Sequence, residues 1–159
     1  MIKTLGPALI AKGFRTKIQF PECVNAKQSW NYVSQVRNDE EVWKYVGLVS
    51  YHLYGSNDPY RSYLRDFGRL KNLPTGQTEY MGLKMNHLYD DLVKGGVSYW
   101  EIYGTGSQIQ WGYNRFRRKS LYWKFRQVLN YVRPGAFRVE ATSSDPSLKA
   151  LAFEKDGMA

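Results

Sequence analysis

Leu73-Pro74-Thr75-Gly76-Gln77-Thr78-Glu79-Tyr80-Met81-Gly82 decides how the rest of the chain reads. Pro74 and Gly76 interrupt the helical pattern before them, Thr78 and Tyr80 favour extended backbone, and Gly82 releases the chain into a further helical segment. The stretch predicts a short strand with Glu79 where it stops. In parallel α/β sheets and barrels, ligands gather beyond the carboxyl ends of the strands, so a carboxylate there is placed for chemistry. Taken alone, Glu79 reads more simply as a residue that charges the start of the next helix. Its neighbours along the chain change that balance.

Working upstream, Gly47 to Gly55 is a nearly continuous apolar run of the kind buried on both faces, and it ends in His52 and Tyr54, two residues apart on one face. Before it, Thr16 to Phe20 predicts a strand closing at Pro21-Glu22. Helical spacing covers Leu5 to Gly13, Ala26 to Arg37 through Trp30, Val33 and Val36, a short segment from Glu40 to Tyr45 capped by Asn38-Asp39, and Tyr60 to Leu70 through Tyr63, Leu64 and Phe67. Downstream, Met85, Leu88, Leu92 and Val93 mark a helix ending at Gly95-Gly96, with Asp90 and Asp91 on its surface, and Val97 to Tyr103 predicts a fourth strand. Four strands alternating with helices imply βαβ units and a parallel sheet.

After Gly104 the pattern changes. Gly104-Thr105-Gly106-Ser107 lacks the Lys and Ser/Thr end of a phosphate loop and reads as a plain loop. Arg115-Phe116-Arg117-Arg118-Lys119 reads as a polar loop before a helix from Leu121 to Val132, and Ala136 to Thr142 and Leu148 to Phe153 as short strands of a separate β element.

Composition bounds the function classes. The chain has 159 residues, enough for one ordinary domain with a core, and 16% are aromatic, including five Trp and thirteen Tyr. Such rings suit sugars, bases and interfaces alike. A net charge of +9 raises nucleic acid as a partner, but the Lys and Arg residues read as scattered, which favours a solvated surface and no nucleic acid. Cys23 is the single cysteine and His52 and His87 are the two histidines, so neither a disulfide framework nor a recognisable metal motif is present. No apolar stretch reaches the length of a membrane span, and no secretion signal follows Met1.

Every predicted strand ends in groups able to hold a sugar: Glu22, then His52 and Tyr54, then Glu79, then Trp100 and Glu101. Read one at a time, His52 is a core histidine and Tyr54 and Trp100 are packing aromatics. Together they describe a site. Val49-Ser50-Tyr51-His52-Leu53-Tyr54, Gln77-Thr78-Glu79, Tyr99-Trp100 and Tyr131-Val132-Arg133-Pro134-Gly135-Ala136-Phe137-Arg138-Val139 resemble family 30 glycoside hydrolases over nearly the whole chain, with wording closest to the endo-β1,6-galactanase-like branch.

The resemblance implies an α/β fold: strands five to eight of a (β/α)8 TIM barrel over residues 1–119, then a linking helix and the beginning of a β-sandwich over residues 120–159. It implies retaining hydrolysis of a β-linked oligosaccharide or polysaccharide, no metal or organic cofactor, and secretion. By resemblance Glu79 is the nucleophile, His52 and Tyr54 flank the reactive sugar, Trp100 is an aromatic floor, and Glu22 is an acidic residue near the substrate. A retaining enzyme also needs a second carboxyl roughly 5 Å from the nucleophile as acid/base. The family supplies it from an Asn-Glu pair on the fourth strand, and no Asn-Glu pair occurs in this sequence. A whole barrel takes about 250 residues, so the expectation is a portion carrying the nucleophile, inactive alone and needing the N-terminal half of its barrel. Four open strands further predict self-association. The competing expectation is a non-catalytic carbohydrate-binding module.

Overall fold

A computed structural model of the chain describes residues 1–157. Its central feature is a parallel sheet of β1 (Ile18–Cys23), β2 (Val46–His52), β3 (Thr75–Glu79) and β4 (Val97–Trp100), in that spatial order. Each strand pairs with the next in sequence, so each connection is a helical crossover. The crossovers are α2 (Ala26–Val36) with the short α3 (Glu40–Trp43), then α4 (Tyr60–Leu70), then α5 (Met85–Asp90), which continues into a π-helical turn over Asp91–Gly95; α1 (Ile2–Ala11) precedes the first strand.

Local sequence explains these elements. Asn25 adopts extended backbone and its side chain accepts from the Gln28 backbone N–H at 3.0 Å, which starts α2. Helix α4 buries Leu64 and Phe67 while Tyr63 stays 43% exposed, so its apolar stripe is narrower than the spacing suggests. Gly96, at φ +57°, ends the π-helical turn in the left-handed conformation that glycine adopts without cost. Val33, Val42, Val46, Val49, Tyr51 and Leu64 are among the buried core residues, and the Trp43 ring meets Phe67 edge-on at 4.6 Å.

The chain forms two compact units: Met1–Met81 with Asp90–Tyr103, and Gly82–Tyr89 with the described residues from Gly104 onward. The first holds the parallel sheet. The second holds an antiparallel hairpin of β5 (Ile109–Gly112) and β6 (Arg115–Arg118), helix α6 (Ser120–Leu129), and an antiparallel pair of β7 (Phe137–Val139) and β8 (Ala152–Glu154). Here a sequence expectation fails. Arg115 to Arg118 is a strand, not a loop, because Tyr113-Asn114 forms a two-residue turn with Asn114 at φ +61°, a conformation Asn tolerates better than most residues. Among the described residues no helix is long and apolar enough to cross a membrane.

Candidate active site

The carboxyl ends of the strands carry the residues expected of a site, and two irregularities in the ladder aim them. β1 and β2 pair Pro21 with Ser50 and Cys23 with Tyr51, which leaves Glu22 as an extra residue, held at φ +59°. β2 and β3 pair Tyr51 with Gln77 and His52 with Glu79, which leaves Thr78 as an extra residue on β3. Extra residues of this kind bend a strand and redirect side chains near functional sites. The two meet: the Thr78 hydroxyl donates to Glu22 Oε1.

The second irregularity decides where Glu79 points. By plain alternation Glu79 would share a face with Gln77, which is fully buried. The inserted Thr78 resets the register so that Glu79 lies beside His52, and the Tyr54 hydroxyl donates to Glu79 Oε1 at 3.1 Å. The His52 and Tyr54 rings stand edge-on with centroids 6.2 Å apart.

Glu22 is the carboxylate whose surroundings favour its charge. Burial alone pushes its carboxyl up, but hydrogen bonds, that of Thr78 foremost and that of His52 among them, hold it below the ordinary carboxylate range. His52 Nε2 lies 3.3 Å from Glu22 Oε2. An ionised carboxylate only accepts, so the imidazole carries its proton on Nε2 and keeps Nδ1 for another partner.

Beneath these groups lies a cluster that the sequence reading missed. Asp91, read as a surface residue, is fully buried; Leu88, Asp91 and Gly95 fall at i, i+3 and i+7, which is the spacing of a buried stripe. An acid on that stripe needs partners, and it has three. Asp91 Oδ1 accepts from the Tyr51 hydroxyl at 2.8 Å, Oδ2 accepts from the Trp100 indole N–H at 3.0 Å, and Arg61 Nε lies 2.9 Å from Oδ1 as an ion pair off the hydrogen-bond axis. Burial raises the Asp91 carboxyl from 3.8 to about 6 despite Arg61. Trp100 is therefore tied to the helix side of the sheet. Tyr99, its neighbour, is 48% exposed and its hydroxyl donates to Glu101 at 3.0 Å. Among the described residues no group of three or more His, Cys, Asp or Glu side chains is placed to hold a metal ion.

The fold and the strand-end carboxylates define the class: a run of (β/α) units from a barrel whose polar groups converge at the carboxyl ends of its strands. Comparison with solved structures finds the same fold in the barrel region of family 30 glycoside hydrolases. A family 30 subfamily 8 xylanase from Clostridium acetobutylicum superposes with a TM-score of 0.75 at 20% identity, covering 98% of this chain and 41% of its own. A family 30 endoxylanase from Clostridium papyrosolvens gives 0.70 at 17% identity, covering 92% and 40%, and an endo-β1,6-glucanase gives 0.71 at 21%, covering 98% and 42%. The chain thus has a GH30-like fold and spans about 40% of the length of those proteins. No protein-family model and no curated protein matches the sequence.

Proposed function

We propose that this chain is the nucleophile-bearing portion of a retaining β-glycoside hydrolase acting on a β-linked polysaccharide, with β1,6-galactan the substrate its sequence resemblance favours. The observation that carries the reading is the seating of Glu79: last residue of β3, beside His52 in the ladder, with Oε1 engaged by the Tyr54 hydroxyl. That engagement orients the carboxylate and leaves Oε2 to attack the anomeric carbon. A glycosyl ester forms on Glu79 as the leaving group departs, and water then cleaves it with the help of a second carboxyl. Glu22 does not suit that second role. A general acid must hold its proton, and Glu22 is kept ionised by Thr78 and His52. Its part is to orient His52 toward a sugar hydroxyl. The acid/base comes from the N-terminal half of the barrel.

The test uses a fluorinated β-galactoside with a dinitrophenolate leaving group, whose departure needs no protonation. Intact mass spectrometry of the full chain is expected to show one added sugar, mapped to Glu79 by peptide digestion and absent in Glu79→Gln. A labelled residue other than Glu79 overturns the assignment. Galactan binding with no labelling replaces it with a carbohydrate-binding module.

A further inference from the structure

The positive charge of this protein is segregated, which corrects the reading of it as scattered. The second unit carries eleven Lys and Arg against four Asp and Glu, a net +7, while the first carries twelve against ten, a net +2. No acidic residue occurs between Glu101 and Glu140, a span that includes Arg115, Arg117, Arg118, Lys119, Lys124, Arg126, Arg133 and Arg138. Nothing in the proposed chemistry at Glu79 uses this charge.

Exposed aromatic rings share the same place. On the β5–β6 hairpin Trp111 is 68% exposed and Phe116 55%, and Trp123 on α6 is 46% exposed. Trp111 pairs directly with Phe116 across the strands, with ring centroids 6.1 Å apart, so both occupy one face of the hairpin. Arg118, two residues along the strand, shares that face. Its guanidinium sits 5.5 Å from the Phe116 centroid, 5.2 Å from Tyr122 and 5.7 Å from Trp123, within the range of cation–π attraction to all three. Arg117, between them, projects from the opposite face beside Gln110.

We propose that the Trp111–Phe116–Arg118 face of the β5–β6 hairpin, with Tyr122 and Trp123 of α6, is a binding surface for an anionic polysaccharide bearing carboxylate or sulfate groups. A guanidinium held against rings is a planar donor fork already oriented for a carboxylate or sulfate, and it loses little freedom on binding. Flat exposed indole and phenyl faces offer sugar rings the apolar contact that simple charge attraction lacks. The surrounding Lys and Arg residues attract the polyanion, and the stacked face selects a sugar polymer. The choice of a polysaccharide over other polyanions rests on the glycosidase reading; the surface itself does not.

The experiment measures binding of the full chain to polygalacturonate, a sulfated galactan and neutral β1,6-galactan at about 0.15 M salt, where long-range attraction is screened. Single-stranded DNA and anionic lipid vesicles are run alongside. Expected is binding to one or both acidic polysaccharides, the pair separating carboxylate from sulfate recognition, with the neutral polymer at least tenfold weaker. Arg118→Gln and Trp111→Ala each lower affinity roughly tenfold, while Arg117→Gln, on the other face, lowers it no more than about twofold. All three side chains are exposed, and circular dichroism confirms that the variants fold. Glu79→Gln leaves this binding unchanged, so failure here and failure of the nucleophile assignment are separate results. Equal losses for Arg117→Gln and Arg118→Gln overturn the proposal in favour of diffuse charge attraction. DNA or vesicles bound as tightly as the acidic polysaccharides overturn it as well.

Discussion

Replacing Asp91 with Asn isolates the energetics of the buried cluster beneath the site. The side chain keeps its shape: Oδ1 still accepts from the Tyr51 hydroxyl, 2.8 Å away, but the new amide N–H faces the Trp100 indole N–H, donor against donor. Losing one buried hydrogen bond costs about 1–3 kcal/mol. The larger effect depends on pH. Burial raises the Asp91 carboxyl from 3.8 to about 6, against the pull of Arg61. A carboxyl raised on folding binds its proton more tightly in the native state, so its contribution is complete below its unfolded value and is lost as pH rises through its folded one. A separation of roughly two pH units amounts to about 3 kcal/mol. Asparagine has no such dependence. Urea denaturation of both proteins at about pH 4, 5, 6 and 7 is therefore expected to show the cost of Asp91→Asn shrinking by about 3 kcal/mol as pH rises, with unchanged m-values. A cost that grows with pH would refute the reasoning, because the Arg61 ion pair would then outweigh burial.

Three further perturbations test other parts of the site. Tyr54→Phe removes the donor to Glu79 Oε1 and is expected to slow fluoro-sugar labelling of Glu79 about tenfold, with the thermal midpoint almost unchanged. Gly95→Ala places a Cβ 2.4 Å from the Tyr51 hydroxyl, which displaces Tyr51 from Asp91; a loss of about 1–3 kcal/mol in urea denaturation is expected, and wild-type stability would show that the π-helical turn shifts freely. Glu22→Gln turns an acceptor-only carboxylate into an amide facing Thr78 and His52. Because the native Glu22 carboxyl lies below the ordinary range, its stabilisation is present above the unfolded value and lost as pH falls through the folded one. The cost of this substitution is therefore expected at neutral pH and to fade toward acid, the opposite direction from Asp91→Asn.

The parallel sheet was legible because each strand and helix carries its own punctuation. Tyr60–Leu70 begins after Pro59 and keeps a helical stripe, and the run from Gly47 is nearly continuously apolar; the helix formed where expected and the strand spans Val46–His52, ending before Gly55. Glu79 at a strand end was also legible, since Thr75 to Glu79 lies between Pro74 and Gly82. What the sequence hides is register. Neither Glu22 nor Thr78 advertises itself as an extra residue, yet if Thr78 took a regular place in the ladder the alternation from Gln77 would turn Glu79 toward the helices. Asp91 was missed for a different reason. An acid on an apolar stripe looks like a surface residue until its partners are known, and Arg61, Tyr51 and Trp100 come from three other elements. The Arg115–Arg118 strand was missed because all four of its side chains are exposed, so no buried face marks it as sheet.

The two faces of the strands do different jobs, and the site depends on both. Tyr51, Gln77 and Trp100 are consecutive partners across β2, β3 and β4, and Asp91 ties the outer two to the helix layer. That face fixes the spacing of the strands with buried, directional contacts, so the residues that follow inherit fixed positions. Ser50, immediately before Tyr51, and Thr78, immediately after Gln77, belong to the other face, which continues into His52 and Glu79. A catalytic carboxylate must be held to within a fraction of an ångström to be useful, and a short strand end does not provide that by itself. Here the buried Asp91 anchors β2 at Tyr51, directly after the irregularity at Glu22 and directly before the one at Thr78, and Glu22 and Tyr54 then hold the two side chains that emerge. If that division is correct, loss of Asp91 and loss of Tyr54 both slow labelling of Glu79, but only the Asp91 variant also lowers stability with the acid-side pH signature derived above. Equal stability loss in both variants would mean that anchor and site are one structure.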